Sequence, residues 1–249
     1  MQKNLAGRTK MTTYVLVHGA WHGAWCWDRV KGPIEAAGHK VIVPDLPGSG
    51  EDDTPLNEVT LDAYVEKISD ILQGLDEKAV LVSHSMSGIV VSQTAELHPD
   101  KISALVYVSG FLPIDGQSLL SLEESNPKPS VPPSLIVAED HVSATIAQDK
   151  LIDLFYHDCS EADQAYALAH LIKPQALQPL ATPVHLSEEN FGSVPRYYIE
   201  CLVDHAICIE MQRQMIAASP CEKVFSIESS HSPFFSKQQE LIDALTQIS

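Results

Sequence analysis

Residues 79–88 read AVLVSHSMSG, and the architecture of the whole chain can be worked out from this stretch. Ala79–Val82 is a short, continuous apolar run, the pattern of a strand buried on both faces. A stretch suited to a helix, Ser87–Leu97, follows at once. A sharp strand-to-helix turn that presents a nucleophilic serine normally carries glycine two residues before and two residues after it, because the turn crowds both neighbours. Here Ser83 and Ser87 occupy those positions around Ser85. Both are small enough for the turn, and on the motif alone a helix N-terminus capped by hydroxyls is a competing reading. The strand before and the helix after favour the turn, with Ser85 exposed at its tip.

The alternation continues in both directions. Thr13–Val17, Lys40–Val43, Ile102–Val108, Tyr197–Leu202 and Lys223–Ile227 are further apolar, β-rich runs. In Leu61–Leu75 the residues Leu61, Tyr64, Val65, Ile68, Ile71, Leu72 and Leu75 share one helical face, with Thr60 placed to cap it. Gln239–Ile248 closes the chain as another helix. Buried strands alternating with helices imply an α/β fold: a doubly wound, mainly parallel sheet with right-handed crossovers. The alternation stops between about residues 112 and 194, a proline-rich stretch with helical segments expected at Ala144–Tyr156 and Ser160–Ile172. An insertion between two sheet strands implies a helical cap over the site, inside one domain spanning residues 11–249. Residues 1–10 are polar and are expected to be a disordered extension.

Composition excludes several classes. Of 249 residues, 45% are hydrophobic and 20% charged, as in ordinary globular proteins. The formal net charge of −17 leaves no basic footprint for nucleic acid. No apolar run approaches the roughly 20 residues of a membrane span, and Met1–Lys10 lacks the apolar core expected of a secretion signal. The five cysteines are odd in number and form no C-x-x-C pair. Reduced thiols in a cytoplasmic protein are expected, each acting as a small apolar residue. No metal-binding pattern is visible, and both monomer and homodimer remain open.

A serine hydroxyl needs a base to take its proton. In a strand–serine–helix arrangement of this kind the acid and then the histidine follow later in the chain. His231, in the Ser-Ser-His-Ser-Pro loop after Lys223–Ile227, is at the carboxyl end of the last strand, where open α/β sheets bind ligands. Asp204, after Tyr197–Leu202, is placed to orient it and stabilise the imidazolium. An oxyanion would need two backbone N–H donors. Met86, just after Ser85, and Ala20, in the loop after the first strand, are the candidates. Gly19 is expected at the substrate and lets the backbone approach closely. Phe111 and Phe234 are expected to line an apolar substrate pocket, while Trp25 and Trp27 are expected to pack in the core.

Several longer blocks carry a family resemblance. They are VHGAWHGAWCW (Val17–Trp27), GHKVIVPDLPGSG (Gly38–Gly50), HSMSG (His84–Gly88), FYHDCS (Phe155–Ser160), DHAI (Asp204–Ile207) and HSPFFS (His231–Ser236). Together they resemble the plant methylesterase and hydroxynitrile lyase group with its bacterial esterase members, over nearly the whole chain from Met11. The resemblance implies an α/β-hydrolase fold, a helical cap, no cofactor, and a catalytic triad on Ser85, Asp204 and His231. It departs at Ser83, where the family usually has glycine. Lyases resembling this group place threonine or asparagine after His18, and the threonine type has lysine after the catalytic histidine. Gly19 and Ser232 stand here instead, which implies an esterase of small apolar esters, methyl and aryl esters among them, working through an acyl-enzyme. The alternatives are a hydroxynitrile lyase and a binding protein for small molecules that does no chemistry.

Overall fold

The computed structural model describes residues 11–248; the extension expected at residues 1–10 lies outside them. The central sheet is built from β1 (Thr13–Val17), β2 (Lys40–Ile42), β3 (Ala79–His84), β4 (Ile102–Val108), β8 (Arg196–Cys201) and β9 (Lys223–Ile227). Their order across the sheet is β2-β1-β3-β4-β8-β9, and every neighbouring pair is parallel. The expected parallel sheet is therefore present.

The apolar runs are continuous because alternate residues serve two cores. Tyr14, Leu16, Val80, Val82, Val106 and Ile199 pack on one face, toward α1 (Asp28–Ala36) and α9 (Gln238–Thr246). Val15, Val17, Leu81, Leu105, Tyr107 and Tyr198 pack on the other, toward α2 (Leu61–Gln73), α3 (Ser87–Leu97) and α7 (Ile209–Ala218). Helix α1 forms despite Gly32 and Pro33, neither of which favours a helix interior. Val30 and Ile34, both fully buried, supply the packing that overrides propensity. Thr60 caps α2 as expected, its hydroxyl accepting from the Ala63 N–H at 3.0 Å. None of the five cysteines is disulfide-bonded, and all but Cys221 are buried.

The segment between β4 and β8 is mixed rather than helical. It holds α4 (Leu119–Glu124), α5 (Glu161–His170), α6 (Gln178–Ala181) and a small antiparallel sheet. That sheet runs β5 (Leu135–Val137), β6 (Ser143–Ile146), β7 (Gln175–Ala176). The helix expected over Ala144–Tyr156 does not form. Its first residues lie in β6, which is paired on both edges, Thr145 opposite Ile136 and Ser143 opposite Ala176. Its last residues, Ile152–Tyr156, form a π-helical turn. Strand pairing with distant residues outweighs local helical periodicity here. The second expected helix forms as α5, with the Ser160 hydroxyl accepting from the Asp163 N–H at 3.2 Å.

Candidate active site

The sheet order reverses at β1, between β2 and β3, and open α/β sheets bind ligands at such a point. Ser85 lies just past the carboxyl end of β3 and has φ +54°, a conformation few residues other than glycine adopt. The surroundings hold it there. The N–H groups of Phe111 and Gly88 donate to the Ser85 carbonyl at 3.0 and 3.1 Å. At Gly88 a side chain is excluded, since a Cβ would come within 2.0 Å of the Phe111 oxygen. The flanking serines are both satisfied. Ser83 donates to the Val106 carbonyl on β4 at 3.0 Å. Ser87 accepts from the His84 N–H at 2.9 Å and donates to the Val17 carbonyl on β1 at 2.8 Å. The hydroxyls thus brace the turn against the strands on either side.

Asp204 and His231 meet at the ends of the next strands. His231 Nδ1 donates to Asp204 Oδ2 at 2.7 Å, with both residues buried. Asp204 Oδ1 accepts from the N–H groups of Ala206 and Ile207 at 2.7 and 3.0 Å. The Ser109 hydroxyl donates to Oδ2 as well. Four donors therefore converge on one carboxylate, and its acceptor sites set the imidazole tautomer. Sequence reasoning missed Ser109; the available signal was a small hydroxyl residue one position past the end of β4. No hydrogen bond joins Ser85 Oγ to His231 in this resting geometry, as is common before substrate tightens a site.

Three more buried histidines lie near Ser85, Asp204 and His231, and each has defined hydrogen-bond partners. His84 Nε2 donates to the His231 carbonyl at 2.8 Å and so anchors the loop that carries the imidazole. Burial, then the nearby His231 and His22 rings, keep His84 uncharged, well below the ordinary histidine range. His18 Nδ1 donates to the Gly19 carbonyl at 2.8 Å, and its Nε2 accepts from the Leu46 N–H at 3.0 Å. His22 Nδ1 donates to the Ala20 carbonyl at 2.8 Å, and its Nε2 accepts from the Tyr156 hydroxyl at 2.6 Å. The two histidines thus grip the carbonyls of Gly19 and Ala20 from both sides. Among the described residues the N–H groups of Ala20 and Met86 donate to no acceptor.

This network has a pH consequence. Burial pulls His22 from the ordinary 6.5 down to about 3. Between those values the unfolded chain takes up a proton at His22 that the folded chain refuses, so folding stability falls as pH drops through that window. Thermal unfolding of wild type and His22→Gln from pH 6.5 to pH 4 checks this. The variant is expected to lose Tm less steeply with acid; parallel curves would contradict the assignment.

Ser85, Ala20 and Met86 line one apolar cavity, whose unfilled space together with the open solvent at its mouth is about 500 Å³. Phe111 is among the residues that line it. Trp21 and Phe155 line it too, the Phe155 ring 5.5 Å from that of His231. Trp21, at φ +61°, ties its loop to β6 by an Nε1 bond to the Ala144 carbonyl at 2.9 Å. Two expectations are corrected. Phe234 does not line the cavity: the helical turn α8 (Pro233–Ser236) carries it inward, where its ring packs 4.9 Å from His84 and 5.4 Å from Trp27. Gly19 does not line it either. A Cβ there would lie 2.8 Å from Ser85 Cβ and 2.9 Å from His84 Nδ1, so Gly19 serves close backbone approach. The expected packing role of Trp27 matches its full burial, while Trp25 is half-buried against the His22 ring.

Among the described residues no group of three His, Cys, Asp or Glu side chains could hold a metal ion. No helix among them is long and apolar enough to cross a membrane.

Residues 14–244 match the family model described as the alpha/beta hydrolase family. Methylesterase 7 of Arabidopsis thaliana is 36% identical over 257 residues, taking in 94% of this chain and 95% of that protein. The crystal structure of polyneuridine aldehyde esterase superposes with a TM-score of 0.86 at 30% identity, over 96% of this chain and 99% of that one. Tomato methylketone synthase I, complexed with 2-tridecanone, superposes with a TM-score of 0.87 at 28% identity, over 96% of this chain and 98% of that one.

Proposed function

The chain belongs to the alpha/beta hydrolase family, in its methylesterase-like group, and from that premise we propose that it is a serine carboxylesterase of small apolar esters. One observation carries the proposal. The strained Ser85 and the residues bearing two unpartnered N–H groups line a single apolar cavity, and the hydrogen-bonded Asp204–His231 pair sits against its wall residue Phe155.

Ser85 Oγ attacks the ester carbonyl while His231 Nε2 takes its proton. The Ala20 and Met86 N–H groups hold the oxyanion, each worth about 3 kcal/mol of transition-state stabilisation. The intermediate collapses, and the alcohol leaves with the proton from His231. Water then repeats the cycle on the acyl-enzyme, releasing the acid. Asp204 keeps the imidazole in the required tautomer and stabilises its charged form. The segment between β4 and β8 serves as the cap that keeps bulk water from the cavity.

The name of Methylesterase 7 supports methyl esters within this substrate class, and that of polyneuridine aldehyde esterase supports ester hydrolysis. Gly19, where a side chain would collide with Ser85, and the buried Ser232, where the threonine-type lyases carry lysine, both weigh against cyanohydrin cleavage. A turnover screen over methyl, aryl and longer-chain esters, with cyanohydrins as the competing class, tests the proposal. Multiple turnovers on methyl or aryl esters are expected. Cyanide release without ester hydrolysis, or ligand binding without turnover, would overturn it.

A further inference from the structure

Among the described residues the cavity wall contains one ionisable side chain, Glu123, in an otherwise apolar or neutral lining. It lies on α4 beside Leu119 and Leu122, on the face turned inward, and is 8% exposed. Its carboxyl has a single hydrogen-bond partner among the described residues: Asn126 Nδ2 donates to Oε2 at 3.1 Å. Asn126 is itself fixed, since its Oδ1 accepts from the Lys128 N–H at 3.0 Å and from Cys208 Sγ at 3.3 Å. Oε1 is left without a protein donor. Burial raises the Glu123 pKa above the usual carboxyl range, against the lowering effects of the Asn126 hydrogen bond and the nearby His231, with Asp204 adding a smaller rise. A carboxyl in this setting is a cost to folding that a leucine would not carry. Oε1 keeps accessible surface, so water or a ligand donor can reach it.

We propose that Glu123 determines specificity at this site, selecting esters whose body carries a hydrogen-bond donor, a hydroxyl or an ammonium group. The proposal rests on the esterase reading of the same cavity and narrows its substrates from small apolar esters in general to mainly apolar esters that carry one donor. A purely apolar ester would cover Oε1 and leave it unpaired, and sites with unpaired buried polar groups discriminate strongly against such ligands. An ester with a carboxylate of its own would face Glu123 and be rejected.

Methyl phenylacetate, its 3- and 4-hydroxy derivatives and its 3- and 4-aminomethyl derivatives separate the cases. Wild type is expected to favour at least one donor-bearing ester over the parent by about tenfold or more in kcat/KM, the scale of one charge-assisted hydrogen bond. Glu123→Leu is expected to lose that preference and to gain activity on the parent ester. Glu123→Gln keeps the shape and a carbonyl acceptor but not the charge. It is expected to retain a hydroxyl preference and lose an ammonium preference, which tells the two donors apart. Dissociation constants of the same five compounds with Ser85→Ala, and with Ser85→Ala carrying Glu123→Leu, test Glu123 without turnover. A Glu123-dependent binding preference in a protein that hydrolyses no ester would overturn the esterase reading and leave this one standing. Turnover with no donor preference in wild type, or a preference that survives Glu123→Leu, would overturn the role of Glu123.

Discussion

Ser85→Ala is expected to lower kcat for a p-nitrophenyl ester by about 10⁴-fold or more, with Tm close to wild type. The size follows from what the hydroxyl does: without it no acyl-enzyme can form, and the residues around it lose their common purpose. Some catalysis above the rate in water would remain, because the Ala20 and Met86 N–H groups and the cavity are untouched. Stability is expected to hold because Ser85 is anchored through its backbone, by the bonds to its carbonyl from Phe111 and Gly88. Stopped-flow and steady-state assays on the purified variant, beside a thermal melt, check both parts. A variant with most of the wild-type rate would mean that another residue attacks.

Asp204→Asn is expected to cost about 10³- to 10⁴-fold in kcat, on the scale seen when a triad carboxylate becomes an amide. The structure gives the reason in terms of donors and acceptors. Oδ2 accepts from His231 Nδ1 and the Ser109 hydroxyl, and Oδ1 accepts from the Ala206 and Ile207 N–H groups. An amide has one oxygen and one NH₂, so in either orientation the NH₂ faces donors. Turned toward Ala206 and Ile207, it leaves two buried N–H groups unpaired, at about 1–3 kcal/mol each. Turned toward His231, it accepts nothing from Nδ1 and drives the proton to Nε2, where it blocks uptake from Ser85. The first orientation would appear as a lower Tm and the second as a loss of rate with the fold intact. A variant within tenfold of wild type in rate and equal in Tm would contradict this account of the carboxylate.

The sheet was legible because buried parallel strands leave continuous apolar runs, and Thr13–Val17, Ile102–Val108 and Lys223–Ile227 match β1, β4 and β9 residue for residue. Ser85, Asp204 and His231 were legible for a related reason: each sits a few residues past such a run. What the sequence did not disclose is set by contacts between distant residues. Ser143–Ile146 becomes a strand because β5 and β7 flank it, and nothing in its own four residues decides that. Phe234 was expected in the pocket from its nearness to His231 in sequence, but one helical turn reverses its direction. Ser109 and Glu123 carried only faint signals, a hydroxyl just after a strand and a glutamate on the Leu119–Leu122 face of a short helix. The serines at 83 and 87 weakened the motif on paper. In the fold their hydroxyls replace glycine's compactness with hydrogen bonds to Val106 and Val17.

The most direct test of the central claim is covalent capture of the nucleophile. A fluorophosphonate reacts by attack of a serine oxygen on phosphorus with loss of fluoride, leaving a stable mass increment. Intact-mass and peptide mapping of the labelled protein are expected to show one adduct, on Ser85, formed more slowly in Asp204→Asn and absent in Ser85→Ala. An adduct on another residue, or an undiminished mass increment in Ser85→Ala, would contradict the assignment of Ser85 as the attacking group.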